Sequence, residues 1–353
     1  MRKACIITVY NSENCGSYWQ AFTLQEFLRS LGYDVFFLKR KTSGTSHSVK
    51  SVVKRCLGHL KRGEVNKVIS PIKQYGIFER YIERFQTVEE CTCDFDLCVL
   101  GSDTIWNLES KYFRDNRNIY WGGTSKAEKT ISYAASVANS TESLVAQFPE
   151  LRGYMENIDS ISVRDTYTEH IVHGLVRKNI QLVCDPTMLF DKEFYQKYLP
   201  VKKSKKGKKN IFVYYFGKMP EVLETKVRIM ARENNADIVV MGGSMEGDVQ
   251  KNCFDPYAFI ECFNNADFVL TNTFHGTIFT LLFEKPAVFN SDGKNKVKEL
   301  LRICQLEALD CCDDLEHVDA FFEKRDIDYQ ITREHINLLR SKSREFLQRC
   351  TAK

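Results

Sequence analysis

Long apolar runs are absent from this chain. None of its 353 residues lies in a window approaching the ~18 consecutive apolar residues of a membrane-spanning helix. A secretory leader is not expected either. Met1-Arg2-Lys3 opens like one, but the apolar run behind it stops at Tyr10 and meets Asn11, Ser12, Glu13 and Asn14, not a small-residue cleavage site. The segment reads as a first strand, and the protein as cytoplasmic. Seven prolines and 18 glycines exclude a collagen-like or linker-dominated chain. Thirteen cysteines are many, but they lack a framework: the number is odd, and Cys91/Cys93 and Cys311/Cys312 are followed by no second pair at zinc-ribbon spacing. Cys5, Cys98 and Cys184 sit in apolar runs and read as buried, reduced thiols. No metal site is expected.

What is present is an ordinary globular composition, with 43% hydrophobic and 27% charged residues. The length suggests two domains, because single cores stop growing at roughly 250–300 residues. Residues 3–10 read as a buried parallel strand, and Ala21, Leu24, Leu28 and Leu31 follow at helical spacing, with Gly32 as the stop. Further strands are predicted at 34–38, 96–100, 130–137, 160–163 and 181–184, with helices near 65–86, 142–157 and 165–174. A lysine-rich stretch at 202–209 contains no apolar residue and reads as a linker. The alternation then restarts, with strands at 211–216, 237–241, 267–271 and 287–289 and helices near 220–235, 256–265 and 275–284. A last helix carries Ile336, Leu339, Ser343 and Phe346, with Thr332 as a candidate cap. The expected fold is α/β with two Rossmann-like domains. Their bounds are 1–200, a linker at 201–210, 211–330, and a C-terminal helix at 331–353. Such domains would face across a cleft, with ligands outside the carboxyl ends of the strands.

The loops after the strands therefore hold the candidates. Asn14-Cys15-Gly16-Ser17 opens the first helix, but it lacks the glycines of a dinucleotide fingerprint and the lysine of a P-loop. It is either ligand-facing or a polar turn capped by Ser17. Gly101-Ser102-Asp103-Thr104-Ile105-Trp106-Asn107 offers hydroxyl, carboxylate and amide groups, and Trp106 a flat face suited to a sugar; the alternative puts Trp106 in the core. Arg164 at a strand tip suits phosphate or carboxylate, or else pairs with Asp165 or Asp185. Gly242-Gly243-Ser244 can cradle an anion with backbone amides, or only turn the chain. His275 stands where a helix begins, beside Gly276 and Thr277, and is the catalytic candidate. His170 and His173 imitate a metal pair, but no acidic residue completes a site, so they read as surface histidines.

The net charge of +4 is unevenly placed. Residues 39–73 hold ten Lys or Arg against one acidic residue, Glu64. Val49, Val52, Val53, Cys56, Leu57 and Leu60 share a helical face there, with Lys50, Lys54, Arg55, Lys61 and Arg62 largely off it. Such a helix rests on an anionic membrane surface or packs on its own domain. Nucleic-acid binding is not expected, because no RNA-binding motif interleaves the basic residues.

In their joint order these loops resemble the polysaccharide pyruvyl transferase family. The carrying residues are Asn14-Cys15-Gly16-Ser17 with Gln20-Ala21 and Leu24-Gln25, then Gly101-Ser102-Asp103 with Trp106-Asn107. Tyr133-Ala134-Ala135-Ser136, Ser162-Val163-Arg164-Asp165, Asp185-Pro186-Thr187, Phe274-His275-Gly276 and Pro286 complete the series. The resemblance implies a glycosyltransferase-B-like fold and transfer of a pyruvyl group from phosphoenolpyruvate to a sugar as a ketal. Phosphoenolpyruvate is a co-substrate, and no cofactor is implied. It makes His275 the catalytic histidine and Arg164 a donor contact. With it, Gly242, Gly243, Ser244, Gly276 and Thr277 are expected at the donor, and Asn14, Ser102, Asp103, Trp106 and Asn107 at the acceptor. Many members carry an Arg two positions before the His; here that position is Thr273. The expected partner is a glycan or lipid-linked oligosaccharide, met at the inner face of a membrane. A nucleotide-sugar glycosyltransferase and a glycan-binding relative without turnover stay open as alternatives.

Overall fold

The computed structural model describes residues 1–12, 14–39, 49–61, 70–200, 208–251 and 254–352. Most of the lysine-rich stretch, at 201–207, lies outside the described residues, as do 40–48 and 62–69 of the basic segment.

Among the described residues twelve strands occur in chain order: β1 (Arg2–Ile7), β2 (Tyr33–Leu38), β3 (Thr87–Val88), β4 (Leu97–Leu100), β5 (Lys129–Ser132), β6 (Ile161–Val163), β7 (Ile180–Leu182), β8 (Lys209–Tyr214), β9 (Ala236–Met241), β10 (Val249–Gln250), β11 (Phe268–Thr271) and β12 (Ala287–Phe289). They form two five-stranded sheets, ordered β3-β2-β1-β4-β5 and β10-β9-β8-β11-β12, and a two-stranded sheet β6-β7. Every pairing among them is parallel. The central strands are apolar on both faces, as parallel strands under helices must be. Ala4, Cys5, Ile6 and Val99 are fully buried, and Cys5 lies opposite Cys98 in register. The two large sheets thus repeat one strand order, and in each the order reverses beside the central strand: between β1 and β4, and between β8 and β11.

The chain divides into two compact units, Met1–Leu189 with Leu339–Lys353, and Phe190–Leu338. The expected boundary at 201–210 is therefore corrected to Leu189/Phe190. The final helix is not an appendage either. It spans Tyr329–Thr351, and from Leu339 onward it packs in the first unit. Ser343 Oγ accepts the Cys184 amide at 2.8 Å, and Arg2 donates to the Thr351 carbonyl at 2.6 Å. Asp328, not Thr332, caps this helix, accepting the Gln330 amide at 2.9 Å.

Other expectations shifted in extent. The stretch 142–157 forms two short helices, Glu142–Val145 and Glu150–Glu156. Helix α1 (Cys15–Ser30) is buried on more than one stripe: Ser17, Gln20, Thr23 and Gln25 are all inside. Two of these polar side chains are tied to backbone, Gln20 Nε2 reaching the Val9 carbonyl and Thr23 Oγ1 the Trp19 carbonyl, both at 2.7 Å. Helices α2 (Val49–Lys61) and α3 (Ser70–Ile82) follow β2. All described cysteines are free thiols, most of them buried.

Candidate functional site

Reversal points matter because two adjacent parallel strands there send their connections in opposite directions, which opens a crevice at their carboxyl ends. In the first unit that place is formed by the loops after β1 and β4. Asn14 caps α1, its Oδ1 accepting the Gly16 amide at 2.8 Å. The cap is thus Asn14 and not Ser17. Ser17 Oγ instead crosses to Asp103 Oδ2 at 2.8 Å and joins the two loops. Asp103 sits at φ 75°, a conformation it tolerates better than most residues because its carboxylate accepts the Thr104 amide at 2.8 Å. Gly101 is required by space: a Cβ there would lie 2.3 Å from the Tyr133 carbonyl oxygen.

Three acceptor expectations are corrected here. Trp106 is fully buried, stacks on Trp121 with ring centroids 5.1 Å apart, and donates Nε1–H to the Tyr120 carbonyl at 2.9 Å. It has no face left for a sugar. Ser102 is fully buried, and its carbonyl accepts from Thr8. Asn107 is a local brace, its Oδ1 accepting from the Glu109 amide and from Ser140 Oγ. Asn14 and Asp103 remain at the loop surface.

Arg164 follows β6. Its side chain is 3% exposed and donates to Asp185 at 3.2 Å, with Asp185 fully buried. The structure therefore forms the Arg164–Asp185 pair, and the guanidinium is not an open cation. Asp185 also accepts from the Thr187 amide and hydroxyl, at 3.0 and 2.7 Å, so it fixes the turn as well as the charge. Asp165 caps the helix Thr166–Leu175 and accepts from Ser136 Oγ at 2.7 Å. Nearby Tyr133 is held far above its ordinary pKa by burial and by Cys184, and burial pushes the Cys184 thiol up to about 11.

The second unit repeats the plan. Between β8 and β11, the buried Asn272 side chain bridges the loops, accepting the Phe216 amide at 3.0 Å and donating to its carbonyl at 2.8 Å. His275 then lies in the first turn of the helix Phe274–Leu282. Its ring meets Phe274 edge-on at 5.5 Å; the residue is 9% exposed, and its Nε2 is buried. Gly242, at φ 111°, ends β9; a Cβ there would lie 2.3 Å from the Tyr215 carbonyl oxygen. Gly243 follows it at φ 75°.

Two donor expectations are corrected. Thr273 is the N-cap, and its Oγ1 accepts the Gly276 amide at 2.9 Å, so that amide is already satisfied. Thr277 is fully buried and donates to the Thr273 carbonyl at 3.0 Å. Conversely, Lys294 carried no signal in the sequence, yet its Nζ lies 3.1 Å from the Asn272 carbonyl and 3.3 Å from Asp292. It places a positive charge at the end of β11, one residue before Thr273. His170 is exposed beside Glu142. Among the described residues no group of three His, Cys, Asp or Glu is placed to hold a metal ion, and no helix is long and apolar enough to cross a membrane.

Two α/β units with parallel sheets, one carrying a histidine at the start of the helix beyond its reversal point, define the class of fold and site. Residues 14–290 match the polysaccharide pyruvyl transferase family, and the chain belongs to it; it is a transferase by family. No curated protein matches the chain significantly. Similar solved structures include UDP-GlcNAc 2-epimerase from Neisseria meningitidis bound to UDP-GlcNAc, with 8% identity, 97% of this chain and 99% of that one covered, and TM-score 0.48. S. aureus MnaA with UDP has 13% identity, 96% and 95% coverage, and TM-score 0.47. A functionally uncharacterised protein from Klebsiella pneumoniae has 13% identity, 87% and 90% coverage, and TM-score 0.43.

Proposed function

We propose that this chain transfers a pyruvyl group from phosphoenolpyruvate to two hydroxyls of a sugar in a surface or exopolysaccharide precursor, forming a ketal. The reaction protonates the donor's methylene carbon while a sugar hydroxyl attacks the adjacent carbon. Phosphate then leaves and a second hydroxyl closes the ring. Both ends of this chemistry need a group that moves protons near neutral pH, which suits histidine. His275 is that group, and its position in the first helical turn beyond β11 is the observation that carries the reading.

The donor is a small polyanion. Lys294 supplies positive charge beside the His275 helix, where Thr273 supplies none. The Gly242-Gly243-Ser244 turn offers backbone amides to the phosphate or carboxylate. Arg164 with Asp185 sets the electrostatics at the end of β6. Asn14 and Asp103 meet the acceptor. The acceptor is a glycan, carried on lipid or free, and phosphoenolpyruvate enters as a co-substrate.

The test is phosphate release from phosphoenolpyruvate in the presence of glycan acceptors, by wild type and by His275→Ala. A fall of about 10²-fold or more is expected for the variant. Equal release by both proteins removes His275 from the chemistry. A thermal shift with a nucleoside diphosphate and none with phosphoenolpyruvate would replace the reading with nucleotide-sugar transfer.

A further inference from the structure

Helix α2 presents an exposed apolar face that no other described residue covers. Val52 turns inward at 7% exposure, but Val53, Leu57 and Leu60 are 50%, 51% and 49% exposed. At ~3.6 residues per turn these three form one ridge along the helix. Lys54 and Lys61 are exposed and flank that ridge on one side. Neither makes an ion pair among the described residues. In α3, Ile72 adds a further apolar side chain at 55% exposure. Single exposed apolar residues need no explanation, whereas a contiguous ridge rimmed by charge does.

Charge selects the occupant. Helix α2 itself carries Lys50, Lys54, Arg55 and Lys61 and no acidic residue, so it favours an anionic surface. Size selects it further. A stable protein–protein interface buries ~1,200–2,000 Å², more than three half-exposed aliphatic side chains supply. An interfacial helix needs less, because shallow insertion of apolar side chains adds to the attraction of each lysine for anionic headgroups.

We propose that α2 docks this protein on an anionic lipid bilayer, with Val53, Leu57 and Leu60 entering the boundary between headgroups and acyl chains, and Lys54 and Lys61 contacting headgroup phosphates. The inference is independent of the pyruvyl-transfer reading, because it is tested with no substrate present.

The experiment is co-sedimentation of the full chain with unilamellar vesicles of phosphatidylcholine alone, or of phosphatidylcholine mixed with phosphatidylglycerol. Wild type is expected to bind the anionic vesicles at least about tenfold more tightly than the neutral ones, with binding that falls as salt rises. Leu57→Asp and the pair Lys54→Glu/Lys61→Glu are each expected to weaken it about tenfold. The pair Lys218→Glu/Lys324→Glu, exposed residues of the second unit with the same change of charge as the α2 pair, leaves it unaltered. Circular dichroism checks folding, and Leu60→Asp repeats the test if Leu57→Asp does not fold. Absence of binding, equal binding to both vesicles, or binding untouched by the α2 variants overturns the proposal. So does a concentration-dependent dimer in sedimentation velocity that Leu57→Asp abolishes, which would assign the ridge to a second copy of this chain.

Discussion

Gly276→Ala places a methyl group in the most confined part of the second unit's site. Its Cβ would lie 2.1 Å from Thr271 Oγ1, 2.4 Å from Thr273 Oγ1 and 2.9 Å from a Tyr214 ring carbon. None of the three yields easily. Thr271 Oγ1 accepts the Thr273 amide at 3.1 Å, Thr273 is the helix cap, and the Tyr214 ring packs edge-on against Phe259 at 4.9 Å. Overpacking of this kind costs ~1–3 kcal/mol, and displacing the cap adds ~0.5–2 kcal/mol. The better helix propensity of alanine offsets up to ~1 kcal/mol. The net loss is about 2 kcal/mol. In a unit of roughly 150 residues that corresponds to a fall in melting temperature of about 4–8 °C. Differential scanning calorimetry reads it directly. Thr273→Ala, which removes only the cap, should fall about half as far, and Thr273→Ser should stay near wild type. A Gly276→Ala protein melting within about 1 °C of wild type would refute the packing argument, and with it the claim that this helix start is rigidly held.

Other outcomes follow from the same geometry. Asp185→Ala leaves Arg164 buried without its carboxylate and should cost about 3–5 kcal/mol in urea unfolding; a loss below ~1 kcal/mol would mean that the pair is not formed in solution. Trp106→Ala should cost about 3–5 kcal/mol, because it empties a core position stacked on Trp121. Loss of glycan binding at full stability would instead return Trp106 to the acceptor site. Cys304 and Cys311 are pushed up to about 12 by burial. At pH 8 both stay protonated, since the pH lies far below their raised pKa, so iodoacetamide should label the exposed Cys93 well before them in peptide mapping. Equal labelling rates would show that the second unit opens readily.

Much of the architecture was legible because its signals are local. Apolar runs of four to six residues, such as Leu97–Leu100 and residues 211–216, mark strands wherever they occur, and alternation with helices makes them parallel. The two-residue strands β3 and β10 left no such signal; they exist only because β2 and β9 offer an edge to pair with. Candidate loops were also legible, since a polar loop after a buried strand is recognisable from sequence alone. The direction in which each side chain points was not. Trp106 and Asn107 are neighbours in one loop, yet one fills the core and the other braces the backbone.

The sequence by itself determined the α/β class, the two-fold repetition of the strand–helix pattern, the place of His275 at a helix start, and the one-signed charge of residues 39–73. All of these depend on residue order and short-range periodicity. Tertiary structure alone decided that the boundary lies at Leu189/Phe190 and that the last helix closes onto the first unit, because those facts rest on contacts between residues more than a hundred positions apart. It also decided that Asp185 holds Arg164, that Thr273 occupies the Gly276 amide, that Lys294 reaches the end of β11, and that Val53, Leu57 and Leu60 stay uncovered. A side chain's chemistry is written in the chain, but which partner or solvent it meets is set only when distant segments pack.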